Sequence, residues 1–392
     1  MSAEDLDIYA AYAVTITLAT ASVYAGSFGS LPKPKRPKTG GNATKDDADA
    51  DEDEDVLERL TSEDAWLFPV LGSIVLFGLF LVIKYLGKEW INRLMSWYFS
   101  FGGLISVSNS SIRIAKNTLG IKRWKEFLQY RIKFLKGTGE ILSVSWRTPS
   151  FFLVPLGMIP STLYTFTSGP KKSALLTNIL ALSFAQDAMS VMKIDSFKTG
   201  CILLSGLFVY DIYWVFGTKV MVSVATNLDV PMKILVPKSK AFSMDNGAMM
   251  LGLGDIVVPG IFAALALRYD YHRFLIAPSG AKFTKPYFYA ALGAYVSGLA
   301  CTMAVMHVFH AAQPALLYLS PACILSFFAT AWVRGEVKEA WQWSDVPVKA
   351  ADASKEQVLE KETPRAEGTS NPSVPSAVET PTTTGDGGGK SQ

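Results

Sequence analysis

The sequence predicts an all-α polytopic membrane protein of nine transmembrane helices with a small cytosolic β-hairpin. Three observations predict it. The apolar residues, 49% of the chain, are bunched into repeated blocks about 20 residues long, and about 20 helical residues cross a ~30 Å hydrocarbon core. The stretches 29–64 and 345–392 are strongly polar, a sorting that a single soluble fold does not produce. Lysine and arginine collect in alternate loops, as positive-inside topology requires.

The nine apolar segments lie near 8–28, 65–86, 90–108, 151–167, 173–192, 199–217, 247–267, 286–310 and 314–333. The first is rich in Ala and Thr. Glu4, Asp5 and Asp7 precede it where a secretory signal peptide carries basic residues, so it reads as a retained helix. Lys33, Lys35, Arg36 and Lys38 follow it, and a basic stretch from Arg113 to Arg147 follows the third segment. These place the N-terminus in the lumen and the C-terminus in the cytosol; the acidic run from Asp46 to Asp55 carries little weight in that rule. Pro155 and Pro160 interrupt the fourth segment, which neighbouring helices can tolerate by satisfying the freed backbone.

Residues 130–146 alternate: Tyr130, Ile132 and Phe134, then Gly137-Thr138-Gly139, then Leu142, Val144 and Trp146. This is a hairpin pattern. The alternative is a basic interfacial helix over 113–136 with Trp124, Leu128 and Leu135 on one face. The chain thus divides into a lumenal N-terminus with the first helix (1–28), a flexible charged loop (29–64), an N-terminal helical part (65–192) with a cytosolic loop over 109–150, a second helical part (193–340), and a disordered Pro/Ser/Thr/Gly tail (341–392).

Some functions are excluded early. The net charge of +3 offers no basic surface for nucleic acid. Cys201, Cys301 and Cys323 are dispersed, so neither a disulfide framework nor a zinc spacing is present, and His307 and His310 lack the intervening glutamate of a zinc-protease helix. No cofactor or metal is expected.

Two aspartates fall inside apolar segments, Asp211 within Gly206–Phe216 and Asp255 within Leu251–Ile261. A carboxylate at the centre of a membrane helix costs about 2.5–3.5 kcal/mol on insertion scales, so two in consecutive segments point to a shared task. Gly252 and Gly254 leave bare backbone beside Asp255, where another chain can approach closely, and Pro259 weakens the helix beyond. Pro314 favours a helix start in the segment Gln313-Pro314-Ala315-Leu316. Facing carboxyls in a dry site share one proton. One then deprotonates water while the other hydrogen-bonds the scissile carbonyl oxygen, giving a diol whose collapse expels the amine. On the aspartates alone, peptide hydrolysis and cation or proton transport stand level.

At these residues the chain resembles the signal peptide peptidase family of intramembrane aspartyl proteases, distant relatives of presenilin of the GxGD type. The family's marks stand in order as Tyr210-Asp211, Gly252-Leu253-Gly254-Asp255 and Pro314-Ala315-Leu316. The flanks Thr199–Leu204, Trp214–Thr218 and Pro321-Ala322-Cys323 match as well. The resemblance implies a presenilin-like helical fold and residence in the endoplasmic reticulum. It implies cleavage of membrane-retained signal peptides after signal peptidase has acted, and of other type II or tail-anchored helices. It places the catalytic pair on Asp211 and Asp255. Tyr210, Gly252, Gly254, Gln313, Pro314, Ala315 and Leu316 become substrate-binding or supporting positions. The expected partners are transmembrane peptides and the bilayer, with a second copy of the chain and a membrane quality-control complex as further classes.

Other polar residues have two readings each. Asp187 either lines a water path or pairs with a polar group on a neighbouring helix. Tyr210 either hydrogen-bonds the acid pair or packs as an aromatic ring. His307 and His310 read as helix–helix or interfacial contacts rather than a pH sensor.

Overall fold

The computed structural model describes residues 3–32, 59–136, 139–166, 173–228, 230–237, 248–278, 280, 282–309 and 313–345. In chain order the elements are α1 (Ala3–Gly29), β1 (Arg59–Leu60), α2 (Ser62–Leu86), α3 (Lys88–Leu119), α4 (Ile121–Glu126), β2 (Gln129–Lys136) and β3 (Gly139–Arg147). Then come α5 (Thr148–Phe166), α6 (Ala174–Val191), β4 (Lys193–Ile194), α7 (Phe197–Phe216), α8 (Val220–Asn227), β5 (Lys233–Pro237) and β6 (Ala248–Gly252). The chain continues through α9 (Gly254–Ile276), α10 (Pro286–Phe309), α11 (Leu316–Arg334) and α12 (Val337–Gln342).

Among the described residues six helical stretches are long and apolar enough to cross a membrane: Leu6–Gly29, Ser62–Tyr85, Ala174–Val191, Phe197–Phe216, Pro286–Phe309 and Leu316–Arg334. The protein is a mostly helical, multi-pass membrane protein. The other three expected segments fall on α3, α5 and α9, the last of them helical only from Gly254, and each carries residues that lower its hydropathy. Ser106, Ser108 and Ser110 are buried along α3, two prolines interrupt α5, and Asp255, Arg268, Asp270 and Arg273 lie in α9.

Each helix is built for its neighbours. Thr61 and Asp64 form a reciprocal capping box at the start of α2. Trp66, Leu67, Val70, Leu71, Ile74 and Val75 then stay exposed along its length, the surface that lipid requires. The narrow inner stripe of α2 packs on α7: Ser62 hydrogen-bonds Thr199 (2.9 Å), and Trp214 donates its indole N–H to Ser73 (3.0 Å). Helices α3 and α5 meet almost backbone to backbone. A methyl group on Gly157 would lie 2.8 Å from Ser108 Cα, the close approach that small residues permit between membrane helices.

Helix α9 is the centre. Residues from Pro259 to Asp270 are buried without a break, so the helix is enclosed on all sides. That enclosure explains how Arg268 is accommodated. Its side chain pairs with Asp345 (2.8 Å) and donates to the Ile194 carbonyl (3.0 Å). Asp270 accepts from the Tyr287 and Phe288 amides (3.4 and 2.9 Å), satisfying the first turn of α10 behind Pro286.

The expected segment 247–267 is corrected. Residues Ala248–Gly252 form β6, antiparallel to β5 in the register Ile234↔Leu251 and Val236↔Met249, and the helix begins only at Gly254 and runs on to Ile276. In β6, Met249 and Leu251 face inward and Met250 outward, a period of two that a run of apolar letters conceals.

The hairpin pattern over 130–146 is realised. Strands β2 and β3 pair Tyr130 with Trp146, Ile132 with Val144 and Phe134 with Leu142. Helix α3 continues to Leu119 and α4 covers Ile121–Glu126, so the helical alternative holds only for the first part of 113–136.

Past the last long helix the chain folds back. Gly335 takes a left-handed conformation (φ 70°), and its amide and that of Glu336 bond the Trp332 and Ala331 carbonyls (3.0 and 2.9 Å), a helix stop that suits glycine. Glu336 then accepts from Arg273 (2.6 Å), Tyr287 (3.2 Å) and Arg334 (3.3 Å). The Trp343 ring lies 6.1 Å from Phe197, 5.1 Å from Tyr269 and 5.7 Å from His272. Ser344 bridges Ser196, and the Asp345 amide donates to the Asp195 carbonyl (2.7 Å). The expected tail starts at 341, and its first residues, through 345, belong to this packed end. The remaining tail, the acidic run 46–55 and His310 lie outside the described residues.

Candidate active site

Asp211 lies well along α7, where Ser196 caps the helix by accepting from the Thr199 amide (3.3 Å). The side chain turns into the protein and is only 5% exposed. The Leu316 backbone N–H donates to its carboxyl, and the Oδ2 atom is buried with no hydrogen-bond partner among the described residues. The tight turn Pro314–Leu316 makes that amide available. Pro314 and Ala315 present their carbonyls to the amides of Leu317 (3.3 Å) and of Tyr318 and Leu319 (3.1 and 3.0 Å), and all three residues of the turn are buried.

Asp255 stands in the first turn of α9 rather than at a helix centre. Its carboxyl accepts from the Gly252 backbone N–H. A methyl group on Gly252 would lie 3.1 Å from Asp255 Oδ2, tight enough to displace the carboxyl, whereas one on Gly254 would meet nothing within 4 Å. The Pro259 ring leaves the Asp255 carbonyl without its usual helical donor, since proline has no N–H to return four residues back. The first turn of α9 is therefore held less by its own ladder and more by the strand before it, where the Leu253 amide bonds the Met232 carbonyl (2.9 Å).

The Asp211 carboxyl lies close enough for its charge to act on Asp255 across α7 and α9. Asp211, Asp255, Gly252 and the turn Pro314–Leu316 thus converge in one place, although they are separated by up to 105 residues of chain. Gln313 adjoins this turn and is half-buried. Tyr210 points elsewhere. Its ring faces Gly72 of α2, where an added methyl would sit 3.5 Å from Cε2, and its centroid is 6.3 Å from that of Trp214. Asp187 pairs with Arg113 of α3, which also bonds Ser190. His307 contacts the Tyr9 and Tyr12 rings of α1 at 5.5 and 6.1 Å, a helix–helix contact. Among the described residues no cluster of three or more His, Cys, Asp or Glu side chains converges on a metal position.

One edge of the β5–β6 hairpin is open. Among the described residues β6 pairs only with β5, and its exposed residues Met250 and Gly252 lead directly to Asp255. In the sequence these residues read as part of the helical segment 247–267, because five apolar residues fit a buried helix end equally well.

A bundle of apolar helices with two acids held in its interior is the architecture of an intramembrane aspartic peptidase. The chain belongs to the signal peptide peptidase family, whose sequence profile matches residues 52–347. It is 39% identical over 316 residues to the signal peptide peptidase of Mus musculus, covering 78% of this chain and 80% of the mouse protein. It is 38% identical over 298 residues to the signal peptide peptidase of Homo sapiens, covering 74% of this chain and 75% of the human one. A probable intramembrane protease of Schizosaccharomyces pombe is 38% identical over 274 residues, with 70% of this chain and 80% of that protein covered.

Proposed function

We propose that Asp211 and Asp255 are the catalytic pair of this intramembrane aspartic endopeptidase. Its main substrates are signal peptides left in the membrane after signal peptidase cleavage, with other type II and tail-anchored helices beside them. The observation that carries the assignment is the convergence of two carboxyls in the interior, each with a backbone amide directed at it. One N–H per carboxyl orients the group and leaves its other oxygen for chemistry, as the unpartnered Asp211 Oδ2 illustrates. A water between the acids loses a proton to the ionised one. The protonated one hydrogen-bonds the scissile carbonyl oxygen. As the water oxygen attacks, that acid passes its proton to the carbonyl oxygen, giving a neutral diol; the other acid then returns the water's proton to the nitrogen, a diol hydroxyl gives up its proton, and the C–N bond breaks.

A substrate helix hides its carbonyls in its own hydrogen bonds, so cleavage requires local unwinding with the freed groups satisfied by the enzyme. The open edge of β6, ending at Gly252 beside Asp255, can satisfy them by strand addition. The proposal includes nine spans, a lumenal N-terminus, a cytosolic C-terminus, the β2–β3 hairpin on the cytosolic face and residence in the endoplasmic reticulum. It rests on the basic loops and the family resemblance. Gln313, Pro314, Ala315, Leu316 and Gly254 are proposed as support around the pair, and Tyr210 as the aromatic residue that packs α7 against α2 next to Asp211. A second copy of the chain and a membrane quality-control complex are proposed as further partners on the resemblance alone.

The test is cleavage of a labelled signal peptide by the purified chain in detergent, with and without a mimic of the diol. Asp211→Asn and Asp255→Asn should each lower turnover by roughly 10²–10⁴-fold while the protein stays folded. Retained turnover in either variant refutes the assignment.

A further inference from the structure

Strand β5 has two long edges. One pairs with β6; the other faces α6, where the side chain of Asn178 closes it. The Asn178 amide donates to the Leu235 carbonyl (2.8 Å), and its oxygen accepts from the Leu235 N–H (2.7 Å). One side chain thus imitates a neighbouring strand at a single residue.

This contact fixes the parity of the hairpin. In an antiparallel ladder the N–H and C=O of one residue point to the same side. Leu235 turns both away from β6, so its partner Met250 turns both away from β5, and alternation sends the backbone groups of Ala248, Met250 and Gly252 to the open edge. The Gly252 N–H, which reaches the Asp255 carboxyl, obeys the same parity. A slip of one residue would turn Gly252 inward and take its amide from Asp255.

We infer that Asn178 is a positioning residue for the peptidase reaction. By closing the α6 side of β5 it leaves β6 as the edge for the substrate and fixes which backbone groups meet it, hence which substrate bond comes to lie at Asp255. The inference rests on the strand-addition reading above. Asn178 touches neither carboxyl and acts through β5.

The experiment reads the cleavage position. The full chain in detergent is given a model signal peptide, and the products are mapped by mass spectrometry. Asn178→Leu removes both hydrogen bonds; Asn178→Asp keeps the acceptor for the Leu235 N–H and loses the donor. The expected result is products spread to neighbouring bonds in both variants, more widely for Leu. The rate at the main bond should fall about tenfold for Leu, as expected for roughly one to two net hydrogen bonds, and the melting temperature of the Asp variant should stay near wild type. An unchanged single cleavage position in Asn178→Asp overturns the inference, and that variant decides alone if Asn178→Leu fails to fold. Met250→Pro separates the underlying reading. It removes an N–H from the open edge while sparing the β5 ladder, so undiminished cleavage by Met250→Pro refutes strand addition itself. Loss of cleavage in Met250→Pro with unchanged products in the Asn178 variants refutes only the role of Asn178.

Discussion

The backbone amide of Leu316 donates a hydrogen bond to the carboxyl of Asp211, joining the first turn of α11 to the C-terminal third of α7. The donor belongs to the main chain, so the conformation at 314–316 matters more than the side chain at 316. Leu316→Met, which conserves volume, should keep peptide cleavage within about threefold of wild type. Pro314→Gly releases the turn at about 1 kcal/mol of backbone entropy and should lower turnover roughly fivefold. Steady-state cleavage of a labelled signal peptide measures both; equal losses in the two would disprove the main-chain account.

Gly252 and Gly254 are separated by one residue and differ in what they face. A methyl group at 252 presses on Asp255 Oδ2 and one at 254 enters open space. Gly252→Ala should therefore lower kcat, by about tenfold if the displaced carboxyl forfeits its amide bond. Gly254→Ala should act mainly on KM, because the open space is where the substrate lies. Separate determination of kcat and KM checks the split, and a kcat loss in both would contradict it.

Arg113 and Asp187 pair between α3 and α6, and both are partly buried. Removing one partner leaves a poorly solvated charge, so Arg113→Leu and Asp187→Leu should each lower the melting temperature in detergent. The double variant should be more stable than either single one. Activity per folded molecule should stay near wild type in the double variant. A large loss of activity there at normal stability would restore the water-path reading of Asp187.

The end of the packed body makes a sharp truncation prediction. A chain stopped after Asp345 keeps the Glu336 contacts, the Trp343 packing and the Arg268 pair, and should cleave like the full chain. A chain stopped after Gly335 strands Arg268, which is nearly fully buried, without its carboxylate, and should lose folded yield in detergent. Asp345→Asn alone should lower stability by about 2–4 kcal/mol for the same reason. Fluorescence-detected size exclusion and thermal unfolding read these outcomes.

Much of the candidate site was legible in the sequence, because acids inside apolar segments are rare and costly. Asp211 and Asp255 stand out by composition alone, and the segment Pro314–Leu316 joins them through the family resemblance. The position of Asp255 within its helix did not. Hydropathy treats Ala248–Gly252 as continuous with α9, and only strand pairing with Lys233–Pro237 separates the two. The partners of Asp187, Arg268 and Leu235 were equally hidden, since each lies 57 to 77 residues away and no local pattern encodes such distances. The pairing of Gln129–Lys136 with Gly139–Arg147 was legible because alternation and a Gly-Thr-Gly sequence are local signals.

The enclosure of α9 has a consequence for motion. Amide protons from about 260 to 270 should exchange with deuterium only when the molecule opens globally, while those of lipid-facing helices and of the hairpin before Asp255 should exchange through smaller fluctuations. Asp255 would then sit on the seam between a slow interior and a faster rim. Breathing of the rim can admit a guest peptide without disturbing the axle on which the acid is mounted.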